Sequence, residues 1–220
     1  YSYGVLQLTF NEHIDHDPPS LVKLENMYIS NTRGATTIPL TGAALITDEN
    51  MTVTLTLTES QRAQAIAMSG VTGGDGAAIW IDLLADSVQD MATNRNELQA
   101  LNASELPDVV PPFITNATIN LGTGMLTIAA SETLDATPVA LVRPELITVG
   151  NTTANLGQGG EHTMNLAGAT VIAVDGVEIR VRVTELQRVK IIAFSGQLGG
   201  DGVAAVFSVA GGAVRDLANN

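Results

Sequence analysis

The chain carries 220 residues with 23 acidic against 10 basic side chains, a net charge of −13, and no cysteine. The scattered basic residues exclude the positive stripe that a nucleic-acid backbone requires, and the missing cysteine excludes disulfides, thiolate metal sites and cysteine nucleophiles together. Aromatic residues supply only 4% of the chain, so any core is built mostly from Val, Ile, Leu and Ala. No apolar run approaches the roughly 18–20 residues that span a bilayer, and no signal-peptide pattern opens the sequence.

Along the chain, Val5 to Phe10 alternates, with Leu6, Leu8 and Phe10 on one face, the period of a half-buried strand. The polar NEHIDHDPP that follows leaves the sheet at Pro18 and Pro19. Short strands are expected at Met27 to Ser30, Gly34 to Thr41 and Gly42 to Thr47, and a clear one at Met51 to Thr58, where Val53, Leu55 and Leu57 share a face. Thr58 with Gln61 reads as a capping box opening a helix of two or three turns, with Gly70 as a left-handed stop. GGDG then makes a tight turn into a strand over Ala77 to Leu84, and a last strand ends in SVQDMATN. Arg95 to Pro112, with its prolines, reads as a hinge or linker between domains.

The whole series then repeats. TESQRAQAIAMSGVTGGDG from Thr58 returns as TELQRVKIIAFSGQLGGDG from Thr184, identical at most positions without a gap. In register with it, Val53, Leu55 and Leu57 match Ile179, Val181 and Val183, while Val88, Asp90, Ala92 and Asn94 match Val214, Asp216, Ala218 and Asn220. Earlier in the unit, Gly4 matches Gly124, Leu6 matches Leu126, Glu12 matches Glu132, Asp15 matches Asp135, Leu21 matches Leu141 and Asn31 matches Asn151. The change of offset places a short insertion near Leu156 to His162 in the second copy, which a loop absorbs cheaply. Ahead of Gly124 the second copy has PPFITNATINLGT, and the first copy has only Tyr1 to Tyr3 there. Either the chain is a segment of a longer tandem array or a neighbouring molecule supplies that strand, and on the residues given an exposed edge is expected on the first copy.

The opening LTFNE and IAASE and the closing VQDMATN and VRDLANN resemble motifs of bacterial Ig-like and cadherin-like β-sandwich repeats of surface-layer, adhesin and fibril proteins. The likeness spans nearly the whole chain but rests on short motifs, and the usual glycine before the final Asn is replaced by Thr93 and Asn219. It implies an all-β fold of two tandem Ig-like antiparallel β-sandwich domains, each with one short helix, over 1–105 and 106–220, the first lacking its opening strand. It also implies an extracellular or cell-surface structural component, a spacer or adhesive, whose partners are copies of itself or adjacent repeats. The alternative implied is a calcium-dependent or glycan-binding adhesin module.

Candidate ligand residues sort by whether both copies keep them. His13, His16 and Asp17 stand beside Glu12 and Asp15 as the densest group of transition-metal ligands, but Thr133, Ala136 and Thr137 replace them in the second copy, which favours a solvated loop. Glu12, Asp15, Asp90 and Asn94 are repeated by Glu132, Asp135, Asp216 and Asn220 with oxygen ligands intact, an arrangement compatible with calcium or with turn formation. Asp75 and Asp201 within GGDG fit a turn better than a cation. The sequons at Asn50, Asn102, Asn116 and Asn151 are possible N-glycosylation sites, expected in loops, the linker or strand ends. No nucleophile elbow, P-loop or repeated histidine partner points to an enzyme, and no organic cofactor is implied.

Overall fold

A computed structural model of the protein describes residues 1–46, 51–152 and 162–220. Residues 156–161 of the insertion placed near Leu156 to His162, and the sequon residue Asn50, fall outside these residues. The chain is mostly β, with antiparallel pairing throughout the described sheets. It divides into two compact units, Tyr1–Val110 with Leu217–Asn219, and Pro111–Asp216 with Asn220. Among the described residues, no helix is long and apolar enough to cross a membrane.

In the first unit, β1 (Val5–Thr9), β5 (Thr52–Thr56) and β4 (Ala44–Ile46) form one sheet in the order β1-β5-β4. The other sheet has the order β3-β2-β6-β7, from β2 (Met27–Ser30), β3 (Ile38–Pro39), β6 (Trp80–Leu83) and β7 (Gln99–Asn102). Both sheets feed a common core of Leu8, Val53 and Leu55 from one side and Met27, Ile29, Ile81 and Leu83 from the other. Alternation decides which residues enter it: in β5, Val53 and Leu55 are buried while the three threonines between and beside them are half-exposed.

The second unit repeats the plan. Its first sheet has the order β12-β13-β9-β8, from β8 (Ile114–Asn120), β9 (Met125–Leu134), β12 (Thr170–Val171) and β13 (Gly176–Arg182). Its second has the order β11-β10-β14, from β10 (Ile147–Gly150), β11 (Thr163–Asn165) and β14 (Val206–Val209). Leu126, Ile128, Ile179 and Val181 meet Ile147 and Val149 in the core, while Glu178, Arg180 and Arg182 stay outside.

Each helix follows its strand as the sequence predicts. Thr58 caps α1 (Glu59–Ala67) and Thr184 caps α2 (Glu185–Ala193), each in a full capping box with Gln61 or Gln187. The glutamine does more than cap. Its Nε2 donates to Pro39 O and Thr41 O in the first unit and to Asn165 O and Ala167 O in the second, so the helix end is clamped onto the turn before the next strand.

Three expectations are corrected. Gly70 and Gly196 are not left-handed helix stops, since α1 ends at an αR Met68 and positive φ begins only at Gly73 and Gly199 in the turn beyond. The closing VQDMATN and VRDLANN are not strands: they form turns, the first bridged to the loop after β1 at Ile14↔Asp90 and the second to the end of β9 at Leu134↔Asp216. The final strand of the first unit is instead β7, inside the stretch expected to be a hinge. The periodicity of Gln99 to Asn102 is too short to stand out against the prolines that follow, and only pairing with β6 makes it a strand.

Candidate functional site

The repeated acidic residues lie where the loop after the opening strand meets the closing turn. In the first unit the Asp90 carboxylate accepts from the backbone N–H of Ala92 and Asn94, each at 2.8 Å, and from the Asn94 amide at 2.7 Å. The Asn94 side chain and N–H hold its pKa below the ordinary carboxylate value. In the second unit Asp216 accepts from the N–H and the side-chain amide of Asn220 at 2.8 and 3.1 Å. The repeated Asp and Asn thus lock a turn.

Asp15 accepts from the Gln89 amide at 3.3 Å, and its counterpart Asp135 pairs with Arg215 at 2.8 Å, so each ties the loop to the residue before the closing Asp. Glu12 is exposed and lies beside Asp90. Glu132 is buried, with a carboxylate oxygen within 4.8 Å of one on the buried Asp216. Within either unit, no three histidine or carboxylate side chains among the described residues bring ligand atoms that close. His13 is exposed, and the His16 ring nitrogen Nδ1 lies 3.2 Å from Ile14 O.

The GGDG turns show why they are duplicated intact. A Cβ on Gly74 would lie 2.0 Å from Ser69 O, and one on Gly200 would lie 1.9 Å from Ser195 O. Gly73, Gly76, Gly199 and Gly202 hold φ near +90°. Asp75 and Asp201 accept from the N–H two residues on, at 2.8 and 2.9 Å, as turn residues do.

Of the described sequons, Asn102 closes β7 and is exposed, and Asn151 is half-exposed just after β10. Asn116 differs from expectation. It lies inside β8, opposite Ala129 at a bulge, with its side chain exposed.

The residues that sequence reading passed over are those of the expected hinge. Glu105 accepts from Gly70 N–H at 3.0 Å, from Ile79 N–H at 2.7 Å and from the Tyr1 hydroxyl at 3.3 Å. Burial, and the Glu105 carboxylate beside it, push the Tyr1 phenol well above its ordinary pKa. Asp108 pairs with Arg62, both buried, while Arg62 also holds Glu59 at 2.7 Å. Far from being a hinge, 99–108 is fastened along the first unit. No repeat of these residues falls within the sequence given, so the duplication could not single them out.

The edge of β1 carries the clearest difference between the copies. Leu57 N–H donates to Gly4 O and Phe10 N–H to Met51 O, so the even-numbered residues of β1 bond toward β5 and the backbone groups of Val5, Gln7 and Thr9 point outward. In the second unit, Val183 N–H donates to Gly124 O in the same way, and the corresponding groups of Met125, Thr127 and Ala129 face β8, opposite Asn120, Thr118 and Asn116. Val5, Gln7 and Thr9 are exposed, their counterparts half-buried, and no described strand pairs with the outer edge of β1. No family model, curated protein or solved structure matches the chain.

Proposed function

We propose that the protein is a structural component of an extracellular fibril or cell-surface array, built from tandem Ig-like β-sandwich repeats and extended by strand addition. The observation that carries this reading is one β plan built twice in a single chain, with the outer edge of β1 paired by no strand of the described residues while β8 pairs the equivalent edge of β9. Open strand edges recruit strands from neighbours, and proteins that do not use them block them with charge, proline or a covering loop. Val5, Gln7 and Thr9 carry neither charge nor proline. The uncharged ITNATIN of β8 shows the kind of strand that fits such an edge despite an overall charge of −13. Sugar at Asn102 and Asn116, which stand exposed, is compatible with an outer surface.

Negative-stain microscopy and sedimentation over a concentration series test the reading. The wild type is expected to form linear assemblies, and Gln7→Pro, which removes one outward N–H, is expected to stay monomeric with unchanged thermal stability. A wild type that remains monomeric throughout overturns it. Calcium separates the second reading, a cation-linked adhesin, which the buried Glu132 and Asp216 carboxylates favour. Assembly without any calcium-dependent rise in melting temperature supports the fibril. A marked rise supports the adhesin.

A further inference from the structure

The two copies differ in the sign of the charge they expose. On β13 the outward positions are Glu178, Arg180 and Arg182, all exposed, where β5 has Thr52, Thr54 and Thr56. Among the described residues, Arg143, Arg188 and Arg215 of the second unit hold carboxylates at 2.9, 2.7 and 2.8 Å, whereas Arg180 and Arg182 hold none. Across the sheet Arg180 stands opposite Thr127, and Arg182 lies between Met125 and Thr170, with Thr118 and Asn120 on the strand beyond. Glu178 is the only carboxylate on these rows. The strand repeat therefore sets two guanidinium groups about 7 Å apart on an open face of hydroxyl and amide side chains.

The first unit shows the opposite sign. Glu12 and Asp17 are exposed in the loop after β1, and Glu12 lies beside the Asp90 carboxylate. Among the described residues no Lys or Arg pairs with any of the three. In the second unit the matching positions present no such charge, since Glu132 and Asp216 are buried and Thr137 stands at the place of Asp17. The basic residues run the other way, with Lys23, Arg33, Arg62 and Arg95 in the first unit and the remainder in the second. Each copy thus exposes the sign that the other lacks.

We propose that the outer face of β13 is a docking surface for the acidic loop of a second copy, with Arg180 and Arg182 of one molecule against Glu12 and Asp17 of the next. A guanidinium takes a carboxylate in a two-pronged bond, which fixes direction as well as attraction. At about 0.15 M salt, charges more than about 8 Å apart are screened, so the net −13 of each chain is muted while pairs in contact persist. One exposed ion pair stabilises little, so lone molecules stay apart and the contact tells where many chains present it together. It needs a second copy but no shared strand, and so goes beyond the array reading without resting on it.

The test is agglutination of beads coated with the whole chain in about 0.15 M salt, every chain carrying Gln7→Pro so that strand addition plays no part. Beads of this parent are expected to clump, and about 1 M salt, which shortens the screening length to about 3 Å, disperses them. Beads bearing Arg180→Glu with Arg182→Glu stay dispersed, as do beads bearing Glu12→Lys with Asp17→Lys. The two kinds mixed together clump, because each supplies the sign that the other has lost. Arg180→Gln with Arg182→Gln weakens clumping about tenfold or more on bead dilution, and this milder change keeps the test in force should a charge reversal disturb folding. Parent beads that stay dispersed, reversed beads that clump like the parent, or a mixture that stays dispersed overturn the proposal. Parent beads that bind a uronate polymer and not one another overturn it in favour of a glycan. Clumping in the expected pattern by a chain whose wild type forms no linear assembly sinks the array reading alone, and linear assemblies from a chain whose beads stay dispersed sink this one alone.

Discussion

Arg62 and Asp108 sit at the heart of the first unit's stability. Burial alone disfavours the Asp108 carboxylate, yet the Val110 N–H, the Ser2 hydroxyl and the Arg62 guanidinium outweigh it and bring its pKa below the ordinary value. A depressed carboxylate pKa means stability that is fully present above about pH 4, the unfolded value, and is lost as the pH falls through the lower folded value. The first unit is therefore expected to unfold in acid before the second, whose counterpart Arg188 donates to a neutral carbonyl, Leu121 O, in place of an aspartate. Arg62→Met leaves Asp108 buried without its cation and is expected to cost about 3–5 kcal/mol at neutral pH. Denaturant unfolding between pH 7 and pH 2.5 checks both statements, and a variant as stable as wild type contradicts them.

At the scale of elements, the helices and the turns after them are the parts a reader of the sequence sees best. The capping glutamines, the cap threonines and the GGDG run lie close together, and their duplication separates constraint from chance. Why Gly74 and Gly200 are kept was hidden, because the carbonyls of Ser69 and Ser195 that exclude a side chain approach only in the folded chain. Gly200→Ala forces that turn apart and is expected to cost about 1–3 kcal/mol, whereas Gly211→Ala, where a Cβ meets nothing within 4 Å, is expected to be neutral. Thermal unfolding of the two variants decides it. The closing VxDxAxN segments misled in the opposite direction. Their apolar spacing imitates a strand, but the Asp and Asn spend their hydrogen bonds on a local turn, and β7 becomes legible only through its partner β6.

Across the molecule, two repeats of one plan differ in which edge is covered. Among the described residues, the first pairs β6 with β7 and leaves the outer edge of β1 unpaired, and the second pairs β9 with β8 and leaves the outer edge of β14 unpaired. Comparing the copies makes the difference at the β1 edge legible, since PPFITNATINLGT stands ahead of Gly124 while only Tyr1 to Tyr3 stand ahead of Gly4 in the sequence given. The open side of β14 was not legible, because β7, the strand that covers the equivalent side of β6, reads in the sequence as part of a linker. If β8 protects the β9 edge, breaking it should create on the second unit the condition already present on the first. Thr118→Pro removes a residue that faces Thr127 across that ladder. The variant is expected to lower the melting temperature of the second unit and to self-associate more than wild type in light scattering. A variant that melts and scatters like the parent counts against a protective role.

The glutamine that closes each capping box also holds two carbonyls of the neighbouring segment, Pro39 O and Thr41 O in the first unit and Asn165 O and Ala167 O in the second. A helix whose first turn comes loose therefore sets that segment free in the same event, so start of helix and turn melt as one piece where two separate contacts would have let them go in turn.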